Sequence, residues 1–272
     1  MSETDAIARA TTPATVATLA RDLRALGLAE GQTVLVHTAL SALGYVITGP
    51  VTLLLALDEV LGPTGTLMMP THSSDLSDPA AWVSPPVPIE WIEIIRAEMP
   101  AFDPHLTPTR GMGVTAELFR NQPGVLRSEH PKVSFAARGP NAAFLTRNHA
   151  LTPSMGDGSP LARLYDLNGW VLLLGTGHDH NTSLHLAETR ATWPTKHMVR
   201  DGAPLLVDGQ RVWQFYDDLD WNDSDFTLIG RDFAEETGVE RQGSVGCGVG
   251  RLMPQRALVD FAVAWIGRMR VR

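Results

Sequence analysis

The residues best suited to acid–base chemistry in this 272-residue sequence lie in segment 181–188, which reads NTSLHLAE. A helix is predicted to begin at Asn181 and to run through Ala191. His185 and Glu188 are three positions apart, so both side chains would share one helical face. A histidine beside a carboxylate can act as a general base near neutral pH. A surface ion pair or a packed histidine has the same spacing, so spacing alone leaves these interpretations open.

Two further histidines precede that segment and raise the question of a metal site. His178 and His180, together with His185, could form the ligand set of a metal-dependent hydrolase. However, His178 and His180 are predicted in a loop, and HxxE is not the HExxH pattern of zinc proteases. Cys247 is the only cysteine, which excludes CxxC metal and redox motifs as well as an intrachain disulfide. The sequence therefore predicts no metal site.

The segment His37–Gly44 follows a predicted strand and contains small residues and hydroxyls. Such a segment can point backbone N–H groups at a phosphate as the chain enters a helical turn. It matches neither the Walker motif nor the GxGxxG dinucleotide motif. An ordinary loop has the same composition, so phosphate binding is one of two interpretations here.

The charge distribution indicates which partners the chain could bind. Acidic residues outnumber Lys and Arg by 30 to 22, which argues against a nucleic-acid-binding protein. Residues 217–236 concentrate the excess, with eight acidic side chains against Arg231 alone. This stretch is either a solvated loop and helix start or a negative cleft wall that steers a polycationic substrate. No apolar run approaches the roughly 20 residues of a membrane helix, and the first residues do not resemble a secretory signal, so a cytoplasmic protein is expected.

Elements of α/β type must position these residues. Buried strands are predicted at Thr33–His37, Thr66–Met69, Val133–Ala137, Trp170–Leu174 and Ser244–Val249, and they alternate with helices. The first helix is expected after an N-cap at Thr12, and Asp208-Gly209 is typical of a β-hairpin turn. The prediction is one domain over residues 1–272, with a central mixed sheet flanked by helices, an appended antiparallel hairpin and a flexible segment at residues 1–11. Three strands end in polar residues at their carboxyl ends, where open α/β sheets bind ligands.

Taken together, ordered motifs across about residues 12–270 resemble the aminoglycoside 3-N-acetyltransferase family of antibiotic-modifying enzymes. They are VHTALSALG at 36–44, GPTGTLMMPT at 62–71, DLSDP at 75–79, TPTRGMG at 107–113, RSEHP at 127–131, GSP at 158–160, LLLG at 172–175, NTSLHLAE at 181–188 and the glycine-rich segment 243–250. The resemblance implies the family's own α/β architecture. The Arg/Gln-x-x-Gly-x-Gly/Ala loop of the common small acetyltransferases is absent, because the segment from Arg110 fails at its last position.

The resemblance also implies an activity and roles for residues. The activity is acetylation of the 3-amino group of the 2-deoxystreptamine ring, with acetyl-CoA as co-substrate and antibiotic resistance as the result. The base would be His185 and its partner acid Asp232, with Glu235 as the alternative partner. The expected coenzyme A contacts are His37, Thr38, Ala39, Leu40, Ser41, Gly44, Arg110, Met112, Gly113 and Ser159. The expected contacts of the cationic drug are Asp75, Glu188, Asp217, Asp220 and Glu235.

Other functions stay open at this point. A same-family acyltransferase could act on another amine, and a noncatalytic coenzyme A-binding module would need no base. The chain is expected to be a monomer or a homodimer without nucleic-acid or membrane partners.

Overall fold

The computed structural model describes residues 3–271. Its α-helices are α1 (Glu3–Arg9), α2 (Val16–Leu26), α3 (Pro50–Leu61), α4 (Ile92–Glu98), α5 (Gly113–Arg120), α6 (Ala142–Thr146), α7 (Pro160–Asp166), α8 (Ser183–Arg190), α9 (Phe226–Thr237) and α10 (Gln255–Met269). Its strands are β1 (Thr33–Thr38), β2 (Thr66–Pro70), β3 (Leu126–Arg127), β4 (Phe135–Arg138), β5 (Trp170–Leu174), β6 (Met198–Val207), β7 (Gln210–Leu219), β8 (Arg241–Val245) and β9 (Gly248–Pro254). Among the described residues, no helix has the length and apolarity to cross a membrane.

The main sheet has the strand order β3-β4-β2-β1-β5-β9-β8 and is mixed. β1 pairs in parallel with β2 and β5, and the remaining pairs of this sheet are antiparallel. β6 and β7 form a separate antiparallel hairpin around Asp208-Gly209. These observations confirm the predicted α/β architecture with a mixed sheet and an appended hairpin.

Both faces of the sheet are covered, which explains why its central strands read as continuous apolar runs. Leu35 of β1 joins a core with Leu184 of α8 and Ile229 of α9, whereas Val34 joins a second core with Leu23 of α2 and Leu57 of α3. Alternate strand residues thus pack against helices on opposite sides. The arrangement fixes the carboxyl ends of β1, β2 and β5 at one edge of a rigid sheet.

Two sequence-based expectations about elements were wrong, and one about flexibility stays a prediction. Segment 1–11, expected to be flexible, contains α1, whose Ala6 is buried, and Arg9 donates a hydrogen bond to the Ala42 carbonyl; residues 1 and 2 lie outside the described part. α2 is capped by Thr15 rather than Thr12, since Thr15 and Thr18 form a reciprocal capping box. The strand expected at Ser244–Val249 is two strands, β8 and β9, which reverse direction between them.

Candidate active site

A cleft of about 580 Å³ lies at the carboxyl ends of β1, β2 and β5. His37 and Thr38 line it from β1, Gly175–Gly177 follow β5, and Gly111–Gly113 close another side. Two grooves of about 880 and 630 Å³ adjoin it, and Gly113 lines all three spaces. The polar ends of β1 and β5 therefore border a surface depression to which β2 contributes Met69 and Pro70, at the place where α/β sheets bind ligands.

Beside this cleft, His185 and Glu188 form a hydrogen-bonded pair on α8. Nδ1 of His185 lies 2.6 Å from Oε2 of Glu188, and the Glu188 side chain is fully buried. The His185 ring also packs against Trp221 and Phe226, with ring centroids 5.0 and 4.9 Å away. Within residues 3–271 no hydrogen bond engages Nε2 of His185. The pair therefore holds the imidazole in one orientation with one nitrogen committed to the carboxylate and the other available.

Thr182 connects this pair to the cleft. It lies one helical turn before His185, whose N–H bonds to the Thr182 carbonyl. The Thr182 side chain lines the cleft, and its hydroxyl lies 3.3 Å from Nε2 of His37. Asn181 shapes this turn, because its side-chain oxygen accepts a hydrogen bond from the N–H of Ser183.

The expected pairing of His185 with Asp232 is wrong. On α9, the Asp232 carboxylate accepts hydrogen bonds from Nε1 of Trp265 at 2.8 Å and from Arg231 at 2.7 Å. These hydrogen bonds, first that of Trp265, lower the pKa of Asp232. Glu235, the alternative partner, lines a separate cavity of about 290 Å³. The partner of His185 is instead Glu188, which was expected to contact the substrate.

Glu188 is not a substrate contact in this structure. Its Oε1 accepts hydrogen bonds from Arg270 at 2.6 Å and from the N–H of Asn222 at 3.1 Å, while Oε2 faces His185. A fully buried carboxylate with both oxygens engaged presents nothing to a ligand. Its position makes it an orienting group for the imidazole.

Two further buried histidines lie near this pair but lack such a partner: His37 at the end of β1, which lines the cleft, and His72 just after β2, which does not line it. Burial, followed by the charges of His180 and His185, lowers the pKa of His37 to about 3. Burial, followed by the charges of His185 and His37, lowers the pKa of His72 to about 3 as well. Both imidazoles are therefore neutral at pH 7, and His37 supplies no positive charge for a phosphate. We call His37 and His72 the cleft histidines.

The expected coenzyme A contacts divide into two groups. Those at the cleft and grooves are His37, Thr38, Ala39, Leu40, Ser41, Gly44, Met112 and Gly113. Arg110 lies outside these spaces and forms an exposed ion pair of 2.9 Å with Asp75, the expected drug contact. Ser159 lines none of these spaces, because it is fully buried at the start of α7, so its contact with coenzyme A stays a prediction without structural support.

Gly44 and Gly113 both have positive φ, but the structure needs them for different reasons. A Cβ on Gly44 would lie 2.6 Å from Sγ of Cys247, so Gly44 is required for packing between the first loop and the β8–β9 turn. A Cβ on Gly113 would meet no described atom within 4 Å, so it would project into the open space where the grooves join. Gly113 is thus the position at which a side chain would compete with a ligand.

Part of the acidic stretch 217–236 is engaged in contacts within the protein. Asp218 is buried and accepts hydrogen bonds from backbone N–H groups, and Asp225 forms a two-bond pair with Arg270. Asp220 lies 3.4 Å from His197, while Asp217 is exposed on β7. Asp218 and Asp225 are therefore engaged within the protein, whereas Asp217 and Asp220 keep exposed carboxylates, so only part of the predicted negative wall is weakened.

The three histidines considered as metal ligands have separate carboxylate partners. His178 lies 2.8 Å from Glu240, and His180 lies 2.7 Å from Asp179. His178 is buried, whereas His180 lines the rim of the cleft. Among residues 3–271, no three side chains of the types that ligate metals come together in a group.

Comparison with known proteins identifies the family. A family model for aminoglycoside 3-N-acetyltransferases, Antibiotic_NAT, matches residues 35–267. The aminoglycoside N(3')-acetyltransferase-like protein YokD of Bacillus subtilis is 44% identical, covering 94% of this chain and 93% of YokD. Aminoglycoside N(3)-acetyltransferase VII of Streptomyces paromomycinus is 42% identical, covering 98% and 96% of the two chains.

Solved structures agree with this match. The crystal structure of YokD superimposes with a TM-score of 0.95 at 42% identity, covering 98% of both chains. That of AAC(3)-Xa superimposes with a TM-score of 0.91 at 39% identity, covering 99% of this chain and 98% of the other. Two more distant structures contain ligands: AAC-IIIb with CoASH (TM-score 0.85, 35% identity, 96% and 98% coverage) and AAC-VIa with sisomicin (TM-score 0.84, 34% identity, 96% and 100% coverage). As its motifs predicted, the chain belongs to the aminoglycoside 3-N-acetyltransferase family.

Proposed function

We propose that this protein transfers the acetyl group of acetyl-CoA to the 3-amino group of the 2-deoxystreptamine ring of aminoglycosides, and so gives resistance to them. Family membership supports the reaction type. The observation that carries the assignment to this site is the 2.6 Å hydrogen bond between His185 and the buried Glu188 beside the cleft. The proposal places the reaction in the cytoplasm, where acetyl-CoA is made.

The grooves fit an extended co-substrate that carries amides and phosphates. The hydroxyls of Thr38 and Thr115 are buried without a hydrogen-bond partner, and both residues line the larger groove. α5 begins at Gly113, so its unpaired N–H groups and positive dipole end lie where the grooves meet. These residues could hold acetyl-CoA, which supplies an activated acetyl thioester when bound. The complex of AAC-IIIb with CoASH supports this assignment.

His185 would act as the general base. An amine of the substrate is mostly protonated at pH 7 and must lose a proton before it can act as a nucleophile. Nε2 of His185 would accept that proton, and Glu188 would stabilise the resulting imidazolium through Nδ1. General base catalysis of this kind contributes about 10²–10⁴-fold to a rate. The reaction needs no covalent intermediate on the protein.

The other histidines of the site are less suited to this role. The cleft histidines have a pKa of about 3 and no carboxylate partner. His180 has Asp179, but their side chains are 68% and 54% exposed, and such exposed pairs contribute little. His185 combines a buried carboxylate with an available nitrogen.

An acyltransferase that modifies another amine is the second candidate. The observation in its favour is that Asp218, Asp225 and Asp232 are engaged within the protein, so the acidic stretch provides less attraction for a polycation than its sequence implies. The family fold and the His185–Glu188 pair serve either substrate equally well.

A thiol-release assay with acetyl-CoA tests the proposal. The panel contains two aminoglycosides of the expected substrate class, sisomicin and gentamicin. It also contains simple amines and a separate aminoglycoside that lacks 2-deoxystreptamine. We expect turnover with the first two, an acetyl group at the 3-amino nitrogen by NMR, and a loss of at least about 100-fold in kcat for His185→Ala. His105→Ala is the matched control, because His105 is exposed and lines neither the cleft nor the grooves, and it should retain full activity. Turnover of simple amines alone would favour the second candidate, and normal kcat in His185→Ala would refute the base.

A further inference from the structure

We propose that Arg270 is a positioning residue that sets the pH range in which His185 can act as a base. The inference rests on the proposed role of His185. Arg270 follows α10 and reaches the site from a distant part of the sequence: it pairs with Glu188, 82 positions earlier in the chain. It contacts neither the cleft nor His185 directly, so its influence passes through Glu188.

Glu188 forms a bridge between the guanidinium and the imidazole. One carboxylate oxygen lies 2.6 Å from Nη1 of Arg270, and the other lies 2.6 Å from Nδ1 of His185. The Arg270 side chain is only 8% exposed and that of Glu188 is 0% exposed, so solvent screens these charges weakly. The three groups therefore act as one electrostatic unit.

The guanidinium is held in place from its other side. Nε and Nη2 of Arg270 donate to the two oxygens of Asp225 at 2.7 and 2.6 Å, and Nη2 also donates to the Asn222 carbonyl. The group lies over the ring of Trp193, 5.1 Å from its centroid. Burial alone would lower the pKa of Arg270, but the hydrogen bonds to Asp225 and Glu188 raise it above its usual value. Arg270 is thus a fixed and permanent positive charge.

The charged and titratable groups around His185 come from several elements. Glu188 lies on α8 itself, Arg270 follows α10, and Asp225 precedes α9. Lys196 donates to the Glu188, Thr189 and Ala191 carbonyls at the end of α8, and the cleft histidines face the pair from the sheet. Of these groups, Arg270 is the cation that binds the partner carboxylate of His185 directly.

The sign of the effect follows from this arrangement. Without the positive charge of Arg270, the Glu188 carboxylate would be less compensated and would favour the imidazolium form of His185. Removing a nearby cation favours the same protonated form. Because a base must be unprotonated to accept a proton, the acidic limb of the pH–kcat profile would move to higher pH.

The test compares three variants. Arg270→Gln removes the charge, and Arg270→Lys keeps it but loses the two-bond geometry with Asp225. Arg268→Gln is the matched control, because Arg268 is 60% exposed on α10 and lies 3.9 Å from Glu236. Two quantities are measured: the pH dependence of kcat with an aminoglycoside, and the titration midpoint of the His185 imidazole by NMR in ligand-free protein, assigned by comparison with His185→Gln.

For Arg270→Gln we expect the acidic limb and the NMR midpoint to move up together by about one pH unit, with little change in either Michaelis constant. Arg270→Lys should leave the midpoint in place but lower kcat severalfold, and Arg268→Gln should change neither. A purely structural role of Arg270 would lower thermal stability without moving the midpoint, and that result would overturn the proposal.

The two measurements separate this inference from the proposed function. If no aminoglycoside is acetylated, the proposed function fails, but the NMR midpoint still tests the electrostatic coupling. If Arg270→Gln does not fold, Arg270→Lys still tests the proposal through the NMR midpoint. A midpoint that stays in place supports the charge as the determinant, and a midpoint that moves although the charge is kept would overturn the proposal.

Discussion

Replacing Glu188 with glutamine tests how the carboxylate controls His185. The change keeps the size of a fully buried side chain and removes only its charge and half of its acceptor capacity. Arg270 and the N–H of Asn222 both donate to the Oε1 position, so the glutamine oxygen would face them. The amide nitrogen would then face Nδ1 of His185 and donate to it. That hydrogen bond selects the tautomer with a proton on Nε2, which cannot accept another from the substrate.

The magnitude follows from that tautomer. In triads where an amide replaces the orienting carboxylate, kcat falls by about 10⁴-fold. We expect a loss of about 10³–10⁴-fold here, equivalent to about 4–5.5 kcal/mol in the activation barrier. The cost in stability should be smaller, about 1–3 kcal/mol, because Arg270 keeps its two hydrogen bonds to Asp225.

The assay measures thiol release at saturating acetyl-CoA. Calorimetry of coenzyme A binding checks that the variant is folded, and ¹⁵N NMR reports which tautomer His185 adopts. Asp232→Asn is the matched control, since it makes the same chemical change at a carboxylate bound to Trp265 and Arg231. It should retain kcat within about twofold. A Glu188→Gln variant within tenfold of the unmodified protein, or a larger loss in Asp232→Asn, would refute the reasoning.

Three further predictions concern other parts of the protein. Gly113→Val should lower acetyl-CoA affinity in calorimetry and, because Gly113 has a positive φ, should also lower the melting temperature. Gly44→Val should lower the melting temperature further, because its side chain would also collide with Cys247, and an equal fall in both variants would contradict this difference. The cleft histidines have a pKa of about 3 in the folded protein, below that of a free imidazole. Each should therefore lower the free energy of unfolding by up to about 1.4 kcal/mol per pH unit as the pH falls from about 6.5 towards 3. Urea unfolding measures this dependence, and His72→Asn should make it less steep. EDTA should leave thiol release unchanged, and loss of activity restored by zinc would support the metal hydrolase instead.

The sequence predicted the central sheet well because its signals are local and strong. Short apolar runs bounded by Gly and Pro marked β1, β2 and β5 to within a residue or two of their bounds. Weaker local signals explain the failures. α5 was not predicted, because it is only eight residues long and Met112 at its N-cap provides no side-chain hydrogen bond. The sequence before it therefore contains no capping motif that would indicate a helix start. The β8–β9 reversal at Gly246-Cys247 lacks the Asn-Gly or Asp-Gly signature of common hairpin turns.

At the site, too, contacts between residues close in sequence could be predicted, whereas contacts between residues far apart in sequence could not. The spacing of His185 and Glu188 was sufficient to place them on one helical face, but the family resemblance implied a partner from another element, Asp232. What decides between the two carboxylates is burial and the position of Arg270, which is remote in sequence from both. Arg270 pairs with the fully buried Glu188 carboxylate at 2.6 Å and so compensates a charge that would otherwise be unpaired inside the core. Such a pairing depends on how α8, α9 and α10 pack, so no local pattern around His185 contains it.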